Sequence, residues 1–258
     1  QFDFNTQGIE MFVEGDWVKA KGTTLGADNG IGVAAIMSLL ASDSIAHPPI
    51  EALFTIDEET GMTGALALKG GLLDGKILLN LDTEEDNELT IGCAGGVDVT
   101  ANGTYQTQVV SGGNALQVKI KGLTGGHSGV DIQKGRANAN KLMNRLLLQL
   151  TEKFDVKIAA IDGGSLRNAI PRESTSIIVC DAAKTDQIKN HVAELGMIYK
   201  TENQLTDPNL AVEISSAALP SVVMEPSFQR NFLKAIYACP NGIYRMSPAI
   251  AGLVQTSN

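Results

Sequence analysis

The stretch IEALFTIDEETGMTGA, residues 50–65, decides how the rest of the chain is read. Residues 50–56 form an apolar run rich in β formers, which then breaks into Asp57, Glu58 and Glu59 before a Thr-Gly pair. A buried strand that runs out into three carboxylates predicts an open α/β sheet, because sites in such sheets form outside the carboxyl ends of the strands. The neighbouring segments carry the same pattern. Residues 16–21 (DWVKAK) read as a strand leading into a glycine-containing turn, and a helix is expected over 30–42. That helix is apolar around most of its circumference, which implies burial. A short Ala/Leu-rich helix near 62–69 follows, then a strand at 76–81 and another at 88–93. Strands joined by short helical crossovers predict a mostly parallel central sheet.

After about residue 98 the pattern changes. Residues 115–122 (ALQVKIKG) alternate as a half-exposed strand does. A helix at 136–153, strands near 156–161 and 174–180, and a helix at 184–198 give a β-α-β-β-α order. That order resembles a split βαβ, ferredoxin-like sandwich. A domain boundary is expected at 96–112, where glycines cluster, and a further helix at 227–238. The expectation for both ends, QFDFNTQGIE and AGLVQTSN, is an internal piece of a longer protein.

Composition narrows the function. The 258 residues are 43% hydrophobic and 19% charged, enough apolar material for a sizeable core. Net charge is −9 and the pI is near 4.8. That balance argues against nucleic acid or an anionic membrane as a partner, since both require clustered Lys and Arg. The longest apolar run, residues 33–41, is too short to span a bilayer. Cys93, Cys180 and Cys239 are far apart and odd in number, and read as free thiols of a reducing, cytoplasmic compartment.

Acids at three equivalent addresses carry the chemistry. Asp28 lies at the turn before the first helix, Glu58 and Glu59 where the 50–56 run ends, and Asp82 where the 76–81 run ends. Carboxylates converging on one crevice repel one another unless a cation neutralises them, so a divalent metal site is expected. An all-oxygen set suits Mg²⁺ or Mn²⁺ as well as Zn²⁺.

Six motifs then occur in order: LGADNGIG, TIDEETGMTGA, NLDTEED, IGCAGG, GLTGGHSG and LRNAIPRE. Together they resemble the M20 family of metallopeptidases, in particular its aminoacyl-histidine dipeptidases of the PepD, carnosinase-like type. The resemblance implies a partial zinc-peptidase catalytic domain over residues 1–100 and a ferredoxin-like lid and dimerisation domain over 101–258. It implies two Zn²⁺ per active site in the complete enzyme, replaceable by Mn²⁺ or Co²⁺, with Asp28 bridging them and Glu59 and Asp82 as further ligands. It gives Glu58 the role of general base and His127 that of stabilising the oxyanion. It places Asn168 and Arg167 against the substrate, a dipeptide of the Xaa-His type, in a homodimer formed through the lid. Asp57 reads as a solvated or supporting acid. One departure stands out. The family's His-x-Asp upstream of the Asp28 motif and its distant downstream histidine have no counterpart, for the three histidines are His47, His127 and His191. His47 reads as a surface turn residue and His191 as a solvent-facing or packing residue of a helix. Two other functions are compatible with the residues: a Mg²⁺- or Mn²⁺-dependent hydrolase of a phosphorylated metabolite, and a non-catalytic dimerisation module.

Overall fold

The computed structural model describes residues 2–82, 87 and 93–258. The chain divides into two compact units, Gln1–Gly95 and Gly96–Asn258.

The first unit begins with an antiparallel hairpin of β1 (Met11–Glu14) and β2 (Trp17–Ala20). Lys19 pairs with Glu14 across the hairpin. Helix α1 (Ala27–Ala41) follows, then two single turns, α2 (Glu58–Gly61) and α3 (Thr63–Leu66). Here the structure departs from the sequence expectation. Residues 50–56 and 76–81 are not strands, and no parallel ladder forms among the described residues. The expected strand at 88–93 lies, except for Cys93, outside the described residues. A run such as Ile77-Leu78-Leu79 is a strand only where neighbours pair its backbone and cover its side chains; here these three are 83%, 80% and 79% exposed. Helix α1 is likewise exposed rather than buried, with Gly32 the one buried residue among those described in this unit. A helix apolar all round needs a layer on each side, and the described residues of this unit supply no second layer.

The second unit is built on a four-stranded antiparallel sheet in the order β5-β6-β4-β7, with β4 Asn114–Lys121, β5 Lys157–Gly163, β6 Ser174–Cys180 and β7 Ala211–Ser216. Strands β4 and β5 both run antiparallel to β6, which lies between them, so the unit has the split βαβ connection. Alternation along β4 sends Leu116, Val118 and Ile120 into the core and leaves Lys119 and Lys121 to pair with Glu173 and Glu213.

Two helices close the buried side. In α4 (Ala139–Phe154) the buried Met143, Leu146, Leu147, Leu150 and Phe154 recur at helical spacing. Its N-terminus is capped by Asn138, whose side chain accepts from the amides of Asn140 and Lys141. In α5 (Thr185–Glu202) Ile188, Val192, Leu195 and Tyr199 do the same work. Two short strands, β3 (Thr107–Val109) and β8 (Val222–Met224), pair antiparallel. Then α6 (Pro226–Ala238) starts with Glu225 as cap and proline at its first position, where the missing N–H has no helical partner to lose. Gln229 of α6 is buried and joins β5: its Oε1 accepts from Ile158 N and its Nε2 donates to Val156 O. The chain ends in a hairpin of β9 (Ile243–Met246) and β10 (Val254–Ser257). No helix among the described residues is long and apolar enough to cross a membrane, and none of the three cysteines is paired.

Candidate active site

In the first unit the acid-bearing turns are positioned by local hydrogen bonds. Asp28 and Asn29 have non-helical backbone, and the peptide bond between them is cis. The regular part of α1 therefore starts after Asn29, whose Oδ1 accepts from Gly32 N at 2.9 Å in the manner of a helix cap. A side chain at residue 32 fits only if the Asn29 amide moves off its cap. Asp57 lies in the left-handed region at φ 62°, and its carboxylate accepts from the Thr63 hydroxyl at 2.8 Å. This bond spans the turn bearing Glu58 and Glu59, so Asp57 supports the turn rather than simply being solvated.

The four acids act on one another electrostatically. The Glu58 carboxyl is held above its ordinary value, first by partial loss of hydration and then by the negative fields of Glu59, Asp82 and Asp28. They do not close into a ligand cluster. Among the described residues no three His, Cys, Asp or Glu side chains gather where they could hold a metal ion. The runs that were expected to present these acids from adjacent strand ends are not paired, so nothing in the described backbone aims the carboxylates at one point. His47 is exposed, with Nδ1 against the carbonyl of Pro48.

In the second unit His127 and Asn168 are brought together. Their loops are joined by Ser128 N to Asn168 O at 2.7 Å, by Ile170 N to Gly126 O at 2.8 Å, and by a bridge between His127 and Ala169. The imidazole is oriented by its own loop. Gly129 N and Val130 N both donate to Nδ1, at 3.0 and 3.2 Å. An acceptor Nδ1 places the proton of the neutral ring on Nε2, which makes the exposed His127 a hydrogen-bond donor. His127 N in turn donates to Asp131 Oδ2 at 2.9 Å. Arg136 closes the loop, meeting Asp131 at 3.4 Å and donating to Gly125 O. The Asp131 carboxyl is held below its ordinary value, mainly by Lys134 and then by the His127 amide. Asp131 and Arg136 went unremarked in the sequence; the available signal was an aspartate four residues after the histidine, a spacing common to turns.

Arg167 is paired with Asp98 at 2.7 Å on the surface. Asn168 is exposed. Beside these loops lies an open cleft of about 370 Å³, lined by Ser128, Asn138, Asn140, Gly163, Arg167 and Asn241 among others. The terminal hairpin abuts it, with Ser257 Oγ donating to Ser128 O. His191 stands apart on α5, its ring edge-on to Phe154 and its Nδ1 3.3 Å from Glu194.

Residues 118–204, which run from β4 through α5 and include the histidine loop, match the M20 peptidase dimerisation domain. The chain therefore carries a dimerisation domain of the M20 peptidase type. Over 256 residues, 99% of this chain and 53% of the relative, it is 42% identical to the cytosol non-specific dipeptidase of Escherichia coli strain K12. The crystal structure of aminoacylhistidine dipeptidase from Vibrio alginolyticus superposes with a TM-score of 0.63 at 42% identity, covering 100% of this chain and 53% of that one. The uncharacterised protein YqjE of Bacillus subtilis strain 168 is 31% identical over 182 residues, 67% of this chain and 42% of YqjE. The chain thus spans about half the length of the first two relatives.

Proposed function

We propose that the chain is part of a cytoplasmic, metal-dependent dipeptidase that cleaves Xaa-His-type dipeptides, with Gln1–Gly95 as part of the catalytic domain and Gly96–Asn258 as the lid through which two copies pair. The observation that carries this reading is the company Glu58 keeps: partial loss of hydration first, and then the fields of Glu59, Asp82 and Asp28, raise its proton affinity. Carboxylate oxygens are donors that a divalent cation accepts, and, if brought together, Asp28, Glu59 and Asp82 would be the residues that hold zinc. When bound, zinc would make a nearby water easier to deprotonate and polarise a carbonyl.

Glu58 is then the group that accepts the proton of the attacking water and returns it to the leaving amine. His127, with its donor nitrogen exposed, stabilises the negative charge that develops on the scissile oxygen. Asn168, tied to the same loop, orients the substrate. Arg167 contributes to substrate binding after exchanging Asp98 for the substrate's carboxylate.

The test is hydrolysis of an Xaa-His dipeptide by the full-length, metal-loaded protein, with and without chelator. Glu58→Ala abolishes turnover and keeps the metal content. Undiminished turnover in that variant would sink the assignment.

A further inference from the structure

Asp207, in the turn after α5, is fully buried. Its carboxylate takes one backbone amide from each end of the His127 loop: Oδ1 accepts from Thr124 N at 2.8 Å, and Oδ2 accepts from Ala137 N at 2.9 Å. The Thr206 hydroxyl also donates to Oδ2, at 2.8 Å. The surrounding turn is fixed to the same place. Thr124 Oγ1 donates to Thr206 O, and Asp207 N donates to Asn203 O at 2.8 Å. Gly122, at φ +76°, has the carbonyl of Asn209 so close that no side chain fits between them.

Backbone bonds to Asn168 and Ile170 hold the tip of the loop, and its two ends need an anchor of their own. Gly125, Gly126 and Gly135 all have positive φ, a backbone that glycine adopts but does not enforce. The inner bonds of Asp131 and Arg136 shape the loop but do not attach it to the sheet. Only a group with two acceptor oxygens on one rigid fork can take an amide from each end and fix their separation. A carboxylate has that fork; an amide side chain of the same size has one acceptor and one donor.

We infer that Asp207 is a positioning residue for His127: it fixes both ends of the 124–137 loop, and so sets where the imidazole Nε2 is presented. This rests on the proposed role of His127 at the scissile oxygen. In Asp207→Asn the side-chain volume is kept, but one of the two amides must face an N–H₂ group and is released.

The experiment uses the full-length metal-loaded protein and an Xaa-His dipeptide, comparing His127→Ala, Asp207→Asn and the double variant. His127→Ala lowers kcat about 100-fold. Asp207→Asn lowers kcat between about 10- and 100-fold, as misplacing a group does, while KM moves less than about threefold. A residue that acts through His127 adds nothing once His127 is gone, so the double variant matches His127→Ala alone. Wild-type kcat in Asp207→Asn, or losses that multiply in the double variant, overturns the inference and leaves the proposed function standing. Wild-type kcat in His127→Ala removes the role of His127 itself, whatever Asp207→Asn does. Amide hydrogen exchange on the unmutated protein gives a reading that needs no variant to fold. Thr124 and Ala137 amides protected like the core support the anchor, and exchange at open-loop rates overturns it.

Discussion

Arg145 and Glu202 meet in a two-pronged ion pair, Nη1 to Oε2 at 2.6 Å and Nη2 to Oε1 at 3.0 Å, which joins α4 to the end of α5. The guanidinium also lies over the Tyr199 ring, 4.9 Å from its centre. The hydrogen bond from Arg145 holds the Glu202 carboxyl below the ordinary glutamate value of 4.5. A lowered value means that the pair's contribution is complete above 4.5 and is lost as the pH falls through the folded-state value. The side chains are 43% and 44% exposed, so the contribution is modest, about 0.5 kcal/mol. Glu202→Gln therefore lowers the unfolding free energy by that amount near neutral pH. The difference from wild type vanishes well below pH 4.5, a comparison made by thermal unfolding at both conditions.

Gln229 is a larger matter for the second unit. Its Oε1 satisfies the buried amide of Ile158 on the outer side of β5, next to the bulge between Ile158 and Ala160. Gln229→Leu keeps the volume and removes the acceptor, leaving a buried N–H without a partner. The expected loss is about 2 kcal/mol, read from the midpoint of denaturant unfolding at an unchanged slope.

The Asp131 carboxylate is the inner brace of the His127 loop. Its lowered proton affinity means that the brace is complete above the ordinary aspartate value of 3.8 and fails as the pH drops below it. Asp131→Asn loosens the loop near neutral pH, and its difference from wild type disappears once the wild-type carboxyl is protonated. The His127 amide should exchange about five- to tenfold faster than in wild type, as expected for loss of one charge-assisted hydrogen bond. Amides of β4 should not change.

Gly32 offers a test of the acid-bearing turn that touches no acid. Gly32→Ala pushes the new methyl into the Asn29 amide and breaks the cap that ends the irregular backbone at Asp28. The expected result is a fall of about tenfold or more in the turnover of the full-length protein, with the unfolding of the second unit unaltered. Equal turnover in the variant would show that the Asn29 cap has no bearing on the placement of Asp28.

The second unit was legible because its signals are local. The alternation in β4, the span of β6 and the placing of α4, α5 and α6 each rest on signals within one helix or one strand of sequence, whereas β3 and β8 to β10, which lack such a signal, were not placed. The first unit was misread where the signal depends on partners. The run at 50–56 has the composition of a central strand, but composition says only what the segment would do between two neighbours. Helix α1 failed in the same way, its placement right and its burial wrong. At the site, the acids and His127 were singled out from motifs. The groups that hold His127 were not, because Asp207 reaches Thr124 across 83 residues and leaves no periodic trace.

That distance has a consequence in time. The histidine loop leaves the ribosome long before the carboxylate that fastens its ends, 83 residues ahead for Thr124 and 70 for Ala137. Closing so long a stretch of chain is slow compared with forming a helix or hairpin. The ends of the loop can thus be fastened only after α4, β5, β6 and α5 have been synthesised. A nascent chain halted before residue 207 would carry a nearly complete sheet and an unfastened histidine.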